Sequence, residues 1–193
     1  MTKLFGAVET VGHVSCSAAE AWRTVCFYEH VHTKPSWFLR TVLPVPQRTT
    51  GCYGHVGDES RCLYSDGGYL AKKITGLTEG ECIDFDIIEQ SIRYHKHIAL
   101  RGGTIRVVAH TDRSCSVHMI TRYRLHSPLV ALIRRFVIAT VSSMHRFVMR
   151  DMLSRLTATS IEFVRYSDSF PTAALRIKDE KMAIDSTTSL AIQ

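Results

Sequence analysis

Residues 115–156, CSVHMITRYRLHSPLVALIRRFVIATVSSMHRFVMRDMLSRL, change their hydrophobic period partway along, and that change decides the fold. Up to Leu125 the pattern alternates. Val117, Met119, Thr121 and Tyr123 share one side and His118 and Arg122 the other, as in a strand with one buried face. From Pro128 onward the apolar positions are 129, 132, 133, 136, 137, 140, 141, 144, 148, 152 and 156, a 3.6-residue period with proline in the first turn. A long amphipathic helix therefore follows a half-buried strand, and each has an apolar face that the other can cover.

Upstream, residues 51–125 read as a meander of strands at 56–64, 69–77, 81–90, 92–100, 104–110 and 115–125. Asp66-Gly67-Gly68 and Thr78-Glu-Gly80 supply hairpin turns, Arg101-Gly102-Gly103 supplies positive φ, and Thr111-Asp112-Arg113-Ser114 closes the last pair. Ile83, Phe85 and Ile87 form one face against Asp84 and Asp86. At the start, residues 6–15 alternate as a strand. Ser17-Ala-Ala-Glu20 is then a capping box opening a helix with Ala18, Ala21, Trp22, Val25 and Cys26 on its apolar side. A second short helical or irregular stretch spans 29–39, and Pro35, Pro44 and Pro46 keep 39–47 out of regular helix. Residues 157–164 are read as prolonging the long helix. The sum is an α+β plan in which a bent antiparallel sheet wraps a long C-terminal helix, with two short helices after the first strand. One domain is expected over 1–165. Residues 166–193 are expected to be a mobile tail, apart from a short helix near 173–183.

Composition excludes several classes. At 193 residues, 45% hydrophobic and 22% charged, the chain can bury one core and is neither low-complexity nor collagen-like. Its longest apolar run, 129–141, carries Arg134 and Arg135 in the middle and cannot cross a bilayer as a simple helix. No apolar h-region follows Met1, no asparagine offers a glycosylation site, and six scattered cysteines lack any C-x-x-C pair. The expected setting is the cytoplasm, with the thiols free. Net charge is +6, and its excess is local: between residues 120 and 156 there are seven arginines against one acid, Asp151. That segment reads as a solvated helix face, or as a surface for an anionic partner such as a membrane. Nucleic acid is not the expected partner, because exposed aromatics do not interleave the arginines.

Several local patterns resemble the START-like helix-grip superfamily, which includes birch-pollen-allergen-like, polyketide cyclase/dehydrase and lipid-transport proteins. They are Val14-Ser-Cys-Ser-Ala-Ala-Glu-Ala-Trp-Arg, Pro35-Ser-Trp37-Phe38, Gly57-x-x-x-Arg61-Cys-x-Tyr64, Gly68-x5-Ile74-x8-Ile83-x-Phe85-x-Ile87 and Met144-His145-Arg-Phe-Val-Met-Arg-Asp151. The resemblance covers roughly 7–160 and implies a gap between sheet and helix. The superfamily hosts carriers, receptors and enzymes, so it does not fix the chemistry. Where similar bacterial sequences place an acid and a proline after the Gly-aromatic turn, this chain has Lys72 and Lys73, so a site built on that acid is not expected.

No nucleophile motif, zinc signature or phosphate loop is present. Gly51, Gly54 and Gly57 lack a following helix and read as loop glycines. His30/His32 and His95/His97 each put two imidazoles on one face if extended, but no acid or thiol accompanies them at ligand spacing, so no metal and no cofactor is expected. Asp84, Asp86 and Glu89 read as solvated acids on the outer face. The residues expected to meet a ligand are Trp37, Phe38, Arg61, Tyr69, Phe85, Met119, Tyr123, Phe136, Met144, His145 and Val148. Of these, Arg61, Tyr69, Tyr123 and His145 are the polar groups able to orient it. The helical register borders His145 on the apolar stripe, which favours a neutral ring with one nitrogen donating and one accepting. The reading that follows is binding or transport of a hydrophobic or amphipathic small molecule, such as a lipid. Its rival is a cyclase or dehydratase with His145 or Tyr123 as general acid or base. A third reading is contact of the arginine-rich helix with an anionic surface; Arg135, Arg146 and Arg150 are expected on its exposed side.

Overall fold

The computed structural model describes residues 5–26, 33, 36–126, 134–154, 156 and 161–164. The elements are β1 (Phe5–Val14), α1 (Ala18–Cys26), α2 (Trp37–Val42), β2 (Pro46–Gly51), β3 (Glu59–Tyr64), β4 (Tyr69–Thr78), β5 (Cys82–Gln90), β6 (Ile98–Thr111), β7 (Ser114–Leu125), α3 (Arg134–Leu153) and β8 (Ile161–Val164). Eight strands form one open antiparallel sheet in the order β2-β3-β4-β5-β6-β7-β1-β8, with α3 packed along it. This is the helix-grip α+β plan. The expected tail at 166–193, the His30/His32 pair and the beginning of the long helix at 128–133 lie outside the described residues.

Local chemistry accounts for the elements. The Ser17 backbone N–H donates to Glu20 Oε2 at 3.0 Å while the Glu20 N–H donates to Ser17 Oγ at 3.3 Å, so the capping box closes reciprocally. Ala21, Trp22 and Val25 on the next turns are buried. The meander follows hairpin logic, each strand pairing with its neighbour in sequence until β7 returns to β1.

Four elements depart from the sequence reading. Residues 98–111 are one strand, kinked instead of broken at its glycines, and 92–97 are bend and turns. Gly102 has φ 147° at a register shift. A Cβ on Gly103 would stand 2.4 Å from the Ile120 carbonyl and 2.7 Å from the Phe85 ring, so the bare backbone lets that ring lie against the strand. Residues 39–42, expected outside regular helix, belong to α2, because Pro44 forbids helix only from the residue before it onward, and 46–51, not read as a strand, is one. It lies at the sheet edge and pairs only with β3, where a missing N–H costs little. Finally, α3 ends at Leu153, and Ile161–Val164 is a strand on the free edge of β1, with Ile161 and Phe163 packed on the core. Alternation of Ile161 and Phe163 with Glu162 was the available signal, and a helical pattern of similar length masked it.

Candidate functional site

At one end of the sheet the two layers meet in a solid core. Val14, Val107 and Val117 from the strands, Trp22 and Val25 from α1, and Met149, Met152 and Leu153 from α3 are all buried in one cluster, of which Val25 and Met152 form the boundary with the hollow beyond. Toward the other end sheet and helix part, and they enclose a cavity of about 670 Å³. Strand alternation builds its walls. The inward rows are Leu70, Lys72 and Ile74 on β4, Ile83, Phe85 and Ile87 on β5, and Met119, Thr121 and Tyr123 on β7. From α3, Phe136, Val137, Thr140, Val141, Met144, His145 and Val148 supply the roof; Phe136, 49% exposed, stands at the opening.

The structure brings together seven of the residues singled out in sequence: Phe85, Met119, Tyr123, Phe136, Met144, His145 and Val148 all line this cavity. Three others stand elsewhere. Trp37 is 71% exposed at the start of α2, because that short helix buries Leu39 and turns its first residue outward. Arg61 and Tyr69 lie on the outer face of the sheet. The Arg61 guanidinium sits 4.9 Å above the Tyr69 ring and 4.0 Å from Glu89, and the Tyr69 hydroxyl donates to Glu89. The parity of β3 explains this correction, since Ser60 and Cys62 are its buried residues and Arg61 between them must point away. The Phe38 side chain is outside the described residues. Sequence reasoning passed over Ser60, Cys62, Tyr64 and Lys72, all on the cavity wall. For Lys72 the signal was present in its shared parity with Leu70 and Ile74; for β3 it was not, because Cys62, Leu63 and Tyr64 are apolar in succession.

His145 is buried, and both of its nitrogens are engaged. Thr10 Oγ1 lies 3.1 Å from Nδ1 and Thr121 Oγ1 lies 2.8 Å from Nε2, tying α3 to β1 and β7. Burial drives its pKa down to about 4, so the ring is neutral at physiological pH. The expected neutral state is present, but the nitrogens serve threonines where a ligand contact was expected. Tyr123 is buried opposite Gly6 on β1, whose hypothetical Cβ would come within 2.6 Å of the phenol oxygen; the Arg134 Nε–H donates to that oxygen at 3.5 Å. Burial, followed by the neighbouring Cys62 thiol, pushes the Tyr64 phenol well above its ordinary range and keeps it neutral.

The outer acids are more engaged than solvated. Asp84 accepts from Thr104, and Asp86 pairs with Arg122 at 3.3 Å. Along α3, Arg135 and Arg150 are exposed as expected. Arg146 is half-buried, with Nε enclosed and without a hydrogen-bond partner. Asp151, buried at the far end, accepts from the Thr33 N–H at 2.6 Å and the Thr33 hydroxyl at 2.5 Å, fastening the connection between α1 and α2 to α3. His95 donates to the Ile92 carbonyl, and His97 borders the cavity opening. Among the described residues no three His, Cys, Asp or Glu side chains group as metal ligands.

No protein-family model and no curated protein matches the chain. Solved structures do. Norcoclaurine synthase from Thalictrum flavum, in complex with dopamine and hydroxybenzaldehyde, superposes with TM-score 0.52 at 14% identity, over 81% of this chain and 91% of that one. The major latex-like protein 151 of Panax ginseng gives 0.50 at 14%, over 78% and 99%. A protein from Nitrosospira multiformis gives 0.54 at 14%, over 79% and 97%. At such identities the likeness is one of fold, and the chain shares the helix-grip α+β fold of these proteins.

Proposed function

We propose that the protein binds, and by release transports, a hydrophobic or amphipathic small molecule held between the sheet and the first two-thirds of α3. The observation that carries this reading is a cavity of about 670 Å³ in a place where two apolar layers would otherwise close on each other. That volume falls in the range of ligand pockets, roughly 300–1,000 Å³. Apolar burial at about 25 cal/mol per Å² supplies affinity without any directional contact. The acid–base alternative draws less support, since His145 engages both nitrogens with threonines and holds its proton weakly. Exchange of the molecule would take place at an anionic headgroup surface, with Phe136 and Tyr94 exposed at the opening beside Arg93 and Arg135. A reducing compartment such as the cytoplasm suits Cys16, Cys52, Cys62, Cys82 and Cys115, all free thiols. No helix among the described residues is long and apolar enough to cross a membrane.

Native mass spectrometry of the protein as purified, with extraction and identification of any bound molecule, tests the reading. Displacement of the neutral fluorophore N-phenyl-1-naphthylamine gives a second readout. A protein that carries no load and does not take up the fluorophore would refute it.

A further inference from the structure

Consecutive lysines on β4 face opposite ways and have different surroundings. Lys73 points outward, lies across from Asp86 and pairs with Glu59 at 3.3 Å. Lys72 points inward, in the row Leu70, Lys72, Ile74, where alternation calls for a third apolar side chain. Its cross-strand neighbours are Ser60 and Ile87, both on the cavity wall. The half-buried side chain lays its ammonium 4.9 Å from the centre of the Phe85 ring, inside the same cavity. No acid among the described residues pairs with it, and none of the described cavity-lining residues is Asp or Glu. Arg48 and Arg93, both exposed, add positive charge where the cavity opens.

An ammonium in an apolar hollow lacks the hydration it would have outside, and a ring face compensates only in part. A carboxylate would do so fully, yet of the two lysines only the outer one is given a carboxylate among the described residues. Ser60, directly across from Lys72 and buried, adds a hydroxyl that forms no hydrogen bond with any described residue. Together these groups make a small donor-rich corner in an otherwise apolar wall.

From this corner we infer that the ligand is an amphiphile with an anionic head group, a carboxylate or a phosphate, whose charge sits on Lys72 and Ser60 while its tail fills the apolar remainder. The inference rests on the cavity reading above and narrows it to a ligand class. Charge-assisted hydrogen bonds are the strong ones, so the head group should distinguish ligands with the same tail.

The test uses dodecanoate, dodecyl phosphate, dodecanol and dodecyltrimethylammonium below their micellar concentrations, each displacing N-phenyl-1-naphthylamine from the full chain. Dodecanoate or dodecyl phosphate should displace it at roughly tenfold lower concentration than dodecanol, and the better of the two identifies the head group. Lys72→Met should bring acid and alcohol to within about twofold of each other without weakening the alcohol. Lys72→Arg should keep the preference, Lys73→Met should leave it untouched, and Lys72→Glu should turn it toward the trimethylammonium. If the wild-type protein binds alcohol as tightly as acid, or if the preference survives both Lys72→Met and Lys72→Glu, the head-group assignment is wrong while the cavity reading stands. If the fluorophore is taken up but none of the four displaces it, the head-group assignment falls while the cavity reading stands; if the protein carries no load and takes up no fluorophore, both fall. Thermal melting of each variant separates loss of fold from loss of charge, and the Arg and Glu variants keep the test decisive if Met disturbs packing.

Discussion

Met149 and Val148 are neighbours on α3, yet the first is sealed in a packed core and the second borders an open cavity. The apolar stripe runs through both halves of the helix, so hydrophobic pattern alone does not separate them. What differs is a third layer. At the Met149 end α1 wedges Ala21, Trp22 and Val25 between helix and sheet, and β8 adds Ile161 and Phe163. Toward Phe136 and Met144 the helix faces β4 and β5 across open space, although Ile138 and Val141 still rest on Val8, Tyr123 and Leu125 of β1 and β7. The hollow therefore opens on the side of the helix where no element such as α1 fills the space.

The largest expected effect follows directly. Trp22→Ala should cost about 3–5 kcal/mol and Met149→Ala about 2–5 kcal/mol, as truncations in a closed core do. Met144→Ala, which only enlarges an existing hollow, should cost under about 1 kcal/mol in the ligand-free protein. Urea unfolding with a shared m-value measures all three. Equal costs at the two ends would mean that the cavity collapses in solution and the distinction is lost.

His145 sits at the boundary of the two regions and should make stability depend on pH. Its folded pKa, about 4, lies below the ordinary 6.5, so between these values the unfolded chain takes up a proton that the folded chain refuses. Stability should be constant above pH 6.5, fall as pH drops toward 4, and level off below, a loss of about 3 kcal/mol from this group. Denaturation of wild type and His145→Gln at pH 7.5 and 4.5 isolates it. A variant whose stability falls as steeply as that of wild type would show that other groups carry the acid sensitivity.

Overpacking discriminates the ends more gently. Val117→Phe, in the closed core, should destabilise by about 1–3 kcal/mol. Val141→Phe, under the cavity roof, should change stability by less than about 1 kcal/mol because the ring has free volume to enter. It should also abolish fluorophore uptake. If Val141→Phe binds as wild type does, the ligand does not occupy the volume beneath α3.

The sequence made one of these regions far more readable than the other. Capping-box chemistry, period-two strands and the long helical stripe are local signals, and they led to the α+β plan and to seven cavity residues. The cavity itself is not a local property, because it arises from the absence of a wedge and no residue pattern encodes an absence. Arg61 was misplaced for a related reason: a strand without clean alternation has no readable parity until its partners fix the register. Tyr69 was misplaced although the parity of Leu70 and Ile74 on its own strand already turned it outward. The edge strand β2 was hidden because it pairs on one side only and needs little hydrophobicity of its own, and β8 because the helical pattern before it extends over its alternating Ile161 and Phe163. Lys72 broke a pattern instead of making one, and such breaks are where sites are expected.

The smallest effect concerns the exposed arginines, and it asks whether the hollow end is also the docking end. Arg135 and Arg150 are both exposed on α3, fifteen residues and so about 22 Å apart along the axis. Arg135 adjoins Phe136 at the cavity opening, whereas Arg150 lies over the Phe163 ring at the packed end, 5.0 Å from its centre. A basic residue near an anionic bilayer contributes about 1 kcal/mol, so Arg135→Gln should weaken association with phosphatidylserine-containing vesicles by roughly fivefold at low ionic strength. Arg150→Gln, facing away from the opening, should weaken it by less than twofold. Added salt should suppress the wild-type signal, since the screening length shrinks from about 30 Å at 0.01 M to about 8 Å at 0.15 M. Sedimentation with sucrose-loaded vesicles reads all three. Equal losses for the two variants would move the contact from the opening to the whole arginine face, and no association at low salt would mean that the arginine face does not bind an anionic surface.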